Sequence, residues 1–218
     1  MIKFKHLKVY NFLDAIRGMR NSWESWDKVD SHEQSTLHNA PNRVIKVRPK
    51  FVMGESDHRL AMNLSKAGSD HAKYLRQILV SVDIIAPEYW WKEFDTYKVG
   101  TVANSTSMMH KLGARPLETS DFSFDDPTSV YVIAYMTIIN SARQLWMDAG
   151  KKKPSPEWRE MVQLVSGAFL YTRTVTLNYA VLQSIYNSRK NHRLQEWSDF
   201  RAWIETLPYQ ELITLKED

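Results

Sequence analysis

Two stretches of the 218-residue chain concentrate side chains able to do chemistry. Tyr171 to Trp197 reads YTRTVTLNYAVLQSIYNSRKNHRLQEW. Asn178 and Arg189 stand eleven residues apart, about three turns of an α-helix, so a helix would carry both on nearly one face. An amide and a guanidinium facing one way, with His192 near the helix end, could hold an anion and a polar ring. The alternative is an exposed helix with an ordinary surface arginine. The second stretch, Ala86 to His110, reads APEYWWKEFDTYKVGTVANSTSMMH. It joins three rings (Tyr89, Trp90, Trp91) to the Lys92–Glu93 pair, a turn-like Gly100 and the small polar run from Asn104 to Ser107. Rings supply shape while hydroxyls and amides supply hydrogen bonds, a mixture common in ligand pockets. A core helix followed by a polar loop would use the same composition.

The elements that must position these residues are legible in outline. Ile2 to Tyr10 alternates well enough for a strand. Asn11 is placed to cap a helix through about Arg20, with Phe12, Leu13, Ile16 and Met19 at helical spacing. Asn21 to Asn42 is expected to be a long loop carrying Trp23 and Trp26, and Val44, Val47, Phe51 and Val52 a second extended segment. A helix over Asp57 to Ala67 would end at Gly68. Lys73 to Ile85 ends in a β-branched run that predicts a buried strand, paired with the N-terminal strand and with the segment around Val44 to Val52. Pro87 marks the start of the next element. The chain should turn at Gly113 and Pro116, then run irregularly from Leu117 to Asp126. Thr128 or Ser129 then caps a long helix from Val130 to about Ala149, closed by Gly150. Further helices are expected from Ser155-Pro156, over Leu177 to Arg189, and over Trp197 to Leu207. The class is α+β, a single domain over residues 1–218: a central antiparallel sheet with packed helices and a helix-rich C-terminal half.

Composition narrows the function. The chain has no cysteine, which excludes disulfides, a thiolate metal site and a cysteine nucleophile, and no metal is expected. Its N-terminus lacks the apolar block of a signal peptide and no run approaches a membrane span, so a cytoplasmic location is expected. The Asn-x-Ser/Thr matches at Asn63 and Asn104 then carry no glycosylation weight. A net charge of +4 is a modest excess that helps attract phosphates, whether of nucleotides or of nucleic acid. Lys151 to Lys153 follow the long helix, where its dipole favours cations.

With those residues in view, the chain resembles the flavin-dependent thymidylate synthases. That family has a Tyr-Thr-Arg segment, then an Asn, an Arg eleven residues on, a His and a Trp. Tyr171, Thr172, Arg173, Asn178, Arg189, His192 and Trp197 follow that order, with one-residue shifts before Asn178 and before Trp197. His71, Ala86-Pro87, Asn104 and Ser107 match the family's His after a helix, its Ala-Pro strand end and its loop with Asn and Ser. There are departures. The family's Arg-His-Arg is Thr96-Tyr97-Lys98 here, and the Glu after its Asn is Ser105. Its loop Arg falls at Met109 or a neighbour, and an upstream phosphate-binding Arg falls near Gln163. Lost charges weaken phosphate capture, which marks a divergent, phage-type member.

The resemblance implies an FAD enzyme that methylates dUMP at C5, taking the carbon from methylenetetrahydrofolate and reducing equivalents from NADPH, and working as a homotetramer that buries FAD between subunits. It places Ser107 and Arg189 as the catalytic pair on dUMP, with Glu93 and Gln163 also binding the nucleotide. It places His71, Lys98, Asn104, Asn178 and His192 along the flavin. Absence of cysteine agrees with a mechanism in which the flavin carries the hard chemistry. Two rivals stand beside this: an enzyme using the same site to make another C5-modified product such as hydroxymethyl-dUMP, and a non-catalytic nucleic-acid-binding protein. Against the last, the basic residues are scattered rather than gathered into a motif.

Overall fold

The run Leu79–Pro87 alternates buried and more exposed positions, and its Val80, Val82, Ile84 and Ala86 are at most 1% exposed. It is a central strand of the protein, whose computed structural model describes residues 2–35, 37–40, 43–46 and 49–216, with backbone alone for 37–40 and 43–46. In chain order, β1 (Lys3–Tyr10) and α1 (Phe12–Gly18) come first. Four short strands follow: β2 (His32–Gln34), β3 (Leu37–Ala40), β4 (Arg43–Lys46) and β5 (Lys50–Val52). After α2 (Glu55–Lys66) and a 3-10 turn over Ala72–Arg76 come β6 (Leu79–Pro87), α3 (Glu88–Phe94) and β7 (Val102–Ser105). Next are α4 (Met108–Ala114), α5 (Val130–Asp148) and α6 (Pro156–Gln163). The chain closes with β8 (Leu170–Asn178), α7 (Tyr179–Ser188), α8 (Gln195–Ile204) and α9 (Glu211–Thr214). Among the described residues, no helix is long and apolar enough to cross a membrane.

The main sheet is antiparallel throughout, in the order β1-β6-β8-β7. β6 and β8 pair along their full length, from Leu79 opposite Asn178 to Pro87 opposite Leu170. Side chains alternate across a strand, so one face of this pair is apolar and the other polar. Val175 and Leu177 join the β6 apolar set in a core shared with α1, α2, α3, α7, α8 and α9. On the other face Thr174 Oγ1 donates to Asp83 Oδ1 at 2.6 Å, and His6 Nδ1 lies 2.8 Å from Asp83 Oδ2. A second cluster lies between α5, α6, Leu112, Phe122 and Phe169, and Tyr171 packs against both clusters.

The α+β class, the antiparallel sheet and the β1–β6 pairing are as expected. Gly68 and Gly150 sit at φ 103° and 82° as helix-ending residues, and Ser129 and Ser155 accept from Tyr131 and Trp158 backbone N–H groups as N-caps. Several expectations change. The second partner of β6 is β8 and not the segment around Val44 to Val52, because the short strands close their own ribbons, β2 with β5 and β3 with β4. The loop expected from Asn21 to Asn42 therefore contains strands, and Asn42 and Val47 lie outside the described residues. Leu177 is not helical. Leu170–Asn178 is a strand with Thr172, Thr174 and Thr176 on one face, a β-branched alternation that suits a pleated surface.

Asn11 precedes α1 but does not cap it; its Nδ2 donates to Gln77 O at 3.1 Å. α1 ends at Gly18 rather than Arg20, whose Nε donates to the buried Asp57 at 2.7 Å. Asn104 and Ser105 belong to β7 and not to a loop. Gly113 makes no turn. It lies in α4, where a Cβ would come within 2.9 Å of the Trp146 ring.

Candidate functional site

α3 begins where Pro87 leaves the sheet. Its first N–H groups are taken by the chain before β8: Glu88 N donates to Phe169 O and Tyr89 N to Gly167 O, both at 3.1 Å. Trp90, Trp91 and Phe94 turn into the core at 0–1% exposure. Tyr89 and Glu93, one turn apart, share another stripe of the helix. Tyr89 OH donates to Glu196 at 2.6 Å, and burial, with that acidic partner, pushes its pKa up to about 12. It is a proton-bearing donor at neutral pH.

Glu93 gathers residues from the far end of the chain. Its Oε2 accepts from Arg189 Nη1 at 3.0 Å and from Trp197 Nε1 at 2.8 Å, and His192 Nε2 lies 3.0 Å away. Leu194 N–H donates to His192 Nδ1 at 3.2 Å. With Nδ1 accepting, Nε2 carries the hydrogen, so the imidazole is a third donor to Glu93. Arg189 is the C-cap of α7, with its guanidinium 4.4 Å from the Trp197 ring centre. Its Nε donates to Tyr97 OH at 2.9 Å. Nη2 makes no hydrogen bond among the described residues. A cavity of about 670 Å³ opens beside this cluster, lined by Tyr89, Glu93, Asn191, His192, Arg193 and Leu194.

Tyr97 also lines a second cleft, of about 530 Å³, with Arg76, Thr96, Lys98, Gly100 and Asn178. Asn178 ends β8 and caps α7: its Oδ1 accepts from Val181 N–H at 3.0 Å. Gly100 faces it at φ 79°, where a Cβ would fall 2.8 Å from Asn178 Nδ2. The left-handed backbone and the close approach both call for glycine here.

Sequence reasoning grouped Asn178 with Arg189 on one helical face. In the structure they are the N-cap and C-cap of α7, so the eleven-residue spacing spans a whole helix; Asn178 lines the second cleft while Arg189 belongs to the Glu93 cluster. Glu93, Arg189 and His192 come together in one cluster, and Lys98 and Asn178 in the other. The remaining expected residues lie elsewhere in the chain. His71 is exposed at the start of the turn that ends in Arg76. Asn104 is exposed on edge strand β7 opposite Thr174. Ser107 is exposed at the N-cap of α4 and makes no cap hydrogen bond. Gln163 ends α6 and lines a third cavity with Ser155, Arg159 and Glu160. Arg76 was missed. A lone cation on a turn has no periodicity to betray it, and its only signal was its place five residues after His71.

No family model matches the chain, and no curated protein matches it in sequence. Solved structures match over nearly its whole length, and the fold they define is that of the flavin-dependent thymidylate synthases. The ThyX of Helicobacter pylori, in complex with FAD and dUMP, aligns with TM-score 0.68 and 14% identity, covering 99% of this chain and 97% of that one. A second structure of that enzyme with FAD and dUMP gives 0.68 and 13%, covering 99% and 96%. The UMP/dUMP methylase PolB of Streptomyces cacaoi, bound with 5-Br dUMP, gives 0.59 and 11%, covering 99% and 95%.

Proposed function

We propose that the chain is an FAD-dependent enzyme acting at C5 of dUMP, with reductive methylation to thymidylate as its reaction. The observation that carries this is the pair of clefts, one beside the Glu93 cluster and one lined by Tyr97, Lys98 and Asn178, in a fold shared with enzymes solved with FAD and dUMP. Residues of the second cleft suit the phosphorylated part of a dinucleotide: Lys98 supplies charge, Asn178 Nδ2 an amide donor, and Gly100 the space a side chain would fill. His71, Asn104 and His192 complete the flavin surroundings in this proposal. When bound, FAD supplies the hydride chemistry, with NADPH and methylenetetrahydrofolate as co-substrates.

The chain's own part is to bind and orient. Arg189, stiffened by Glu93, Tyr97 and Trp197, offers Nη2 to the nucleotide, and Ser107, Glu93 and Gln163 add contacts. Ser107, Asn104 and Gln163 line neither of the two clefts, and in this proposal they reach the site from other copies of a homotetramer.

The test is direct. Purified protein should be yellow or take up FAD, at a mass near four times 25.5 kDa. Incubated with dUMP, methylenetetrahydrofolate and NADPH, it should yield a nucleotide with the mass of thymidylate. A hydroxymethyl product would keep the site and change the reaction. A colourless monomer indifferent to FAD would overturn the proposal.

A further inference from the structure

We propose that Arg76 and Lys98 form a two-cation seat for a phosphate or pyrophosphate group in the cleft beside Gly100 and Asn178. The flavin reading supplies only the name of one ligand; the anion chemistry stands without it. Ten residues line this cleft and none carries a carboxylate. Arg76 and Lys98 make no ion pair with any described residue, so no acid among the described residues neutralises either charge in the cleft. Two like charges on one concave wall create a positive potential that an anion relieves.

The seat is also built to hold its shape. Arg76 closes a turn whose Ala72, Tyr74 and Leu75 are buried, and Tyr74 OH is anchored by Ser65 Oγ at 2.7 Å and by Ala61 O at 2.9 Å. Lys98 follows Tyr97, itself held by Arg189. Asn178 is 9% exposed, and its Oδ1 is spent on the Val181 N–H. Its Nδ2 has no acceptor among the described residues and lies at the cleft beside Gly100. A side chain nine-tenths buried whose amide donor lacks a protein acceptor, in one cleft with two cations free of ion pairs, is an arrangement that suits a phosphoryl oxygen.

Two ligands carry that chemistry, the pyrophosphate of a dinucleotide and the monophosphate of a nucleotide. Inorganic pyrophosphate, FAD and dUMP are titrated calorimetrically into the full chain as wild type, Arg76→Gln, Arg76→Lys and Arg59→Gln. Arg59→Gln removes an equal charge from the exposed face of α2. Arg76→Gln should weaken pyrophosphate about ten- to a hundredfold, the range for a lost charged hydrogen bond, and less at high salt. Arg76→Lys should recover part of the loss, and Arg59→Gln should bind as wild type. The exposed Arg76 should leave the melting temperature unchanged. A parallel loss for FAD alone assigns the seat to the dinucleotide, and a loss for dUMP alone assigns it to the nucleotide. Pyrophosphate binding that depends on Arg76 in a protein that ignores FAD would sink the flavin reading and keep the seat. Wild-type affinity in Arg76→Gln, an equal loss in Arg59→Gln, or no pyrophosphate binding at all overturns the seat.

Discussion

Arg189 Nε donates to Tyr97 OH at 2.9 Å, and this bond ties the Glu93 cluster to a residue that lines the second cleft. The guanidinium belongs to the Glu93 cluster, while the Tyr97 ring lines the cleft of Arg76, Lys98 and Asn178.

Arg189→Ala should therefore act twice. On the proposed function it removes a nucleotide contact and should lower dUMP affinity about ten- to a hundredfold. It also strips Glu93 and Tyr97 of a partner, so the melting point should fall, unlike that of a variant at a free surface arginine. Arg189→Lys keeps the charge but not the planar fork. It should melt closer to wild type while dUMP binding stays weak. Calorimetry and melting curves on both variants check this, and equal dUMP affinity in all three proteins would place the nucleotide elsewhere.

Glu93→Ala leaves three donors (Arg189 Nη1, His192 Nε2 and Trp197 Nε1) without their shared acceptor. The expected loss is about 1–3 kcal/mol. For a chain of this size that is a fall of several degrees in melting temperature, at about 2–4 °C per kcal/mol. Differential scanning calorimetry measures it, and an unchanged melting point would show that the cluster contributes no stability.

Lys98→Ala should weaken FAD more at low salt than at high salt, because a point charge on phosphate is screened by ions. Titrations across a salt series provide the check. Matching affinities at every salt concentration would remove Lys98 from the cofactor site.

Gly100→Ala meets both a left-handed backbone at φ 79° and a contact of 2.8 Å with Asn178 Nδ2. Gly68→Ala meets the backbone strain alone, at φ 103° with nothing within 4 Å. The first should destabilise by more than the about 1 kcal/mol expected of strain alone and should also impair pyrophosphate binding. Gly68→Ala should lower stability and leave binding intact. Equal effects of the two on binding would mean the cleft does not depend on the Gly100–Asn178 approach.

Asp83 has its pKa lowered, first by the Thr174 hydroxyl and then by His6. A depressed folded-state pKa contributes stability above the unfolded value, and that stability is lost as pH falls through the folded value. Thr174→Val removes the largest cause. It should melt below wild type at neutral pH, with the gap closing in acid below the ordinary carboxylate range. A gap that keeps its full size in acid well below the ordinary carboxylate range would count against the linkage.

Much of the fold was written locally. The β-branched run before Pro87, the Ser-Pro start of α6, and the glycines at 68, 100 and 150 each act through the conformations their own residues allow, so the sequence alone specified those boundaries. The resemblance likewise put Glu93 with Arg189 on the nucleotide and His192 with Lys98 and Asn178 along the flavin, whereas the structure seats His192 on Glu93. Long-range pairing decided the rest. Leu170–Asn178 carries apolar residues that a helix could also use, and it is a strand because β6 offers a full-length partner some ninety residues earlier. The three-donor seat on Glu93 joins residues about a hundred positions apart, and Arg76 and Lys98 line one cleft with α7, against which the Ala72–Arg76 turn packs. Burial and contact at such separations depend on how the sheet and helices are layered, and no local spacing carries that information.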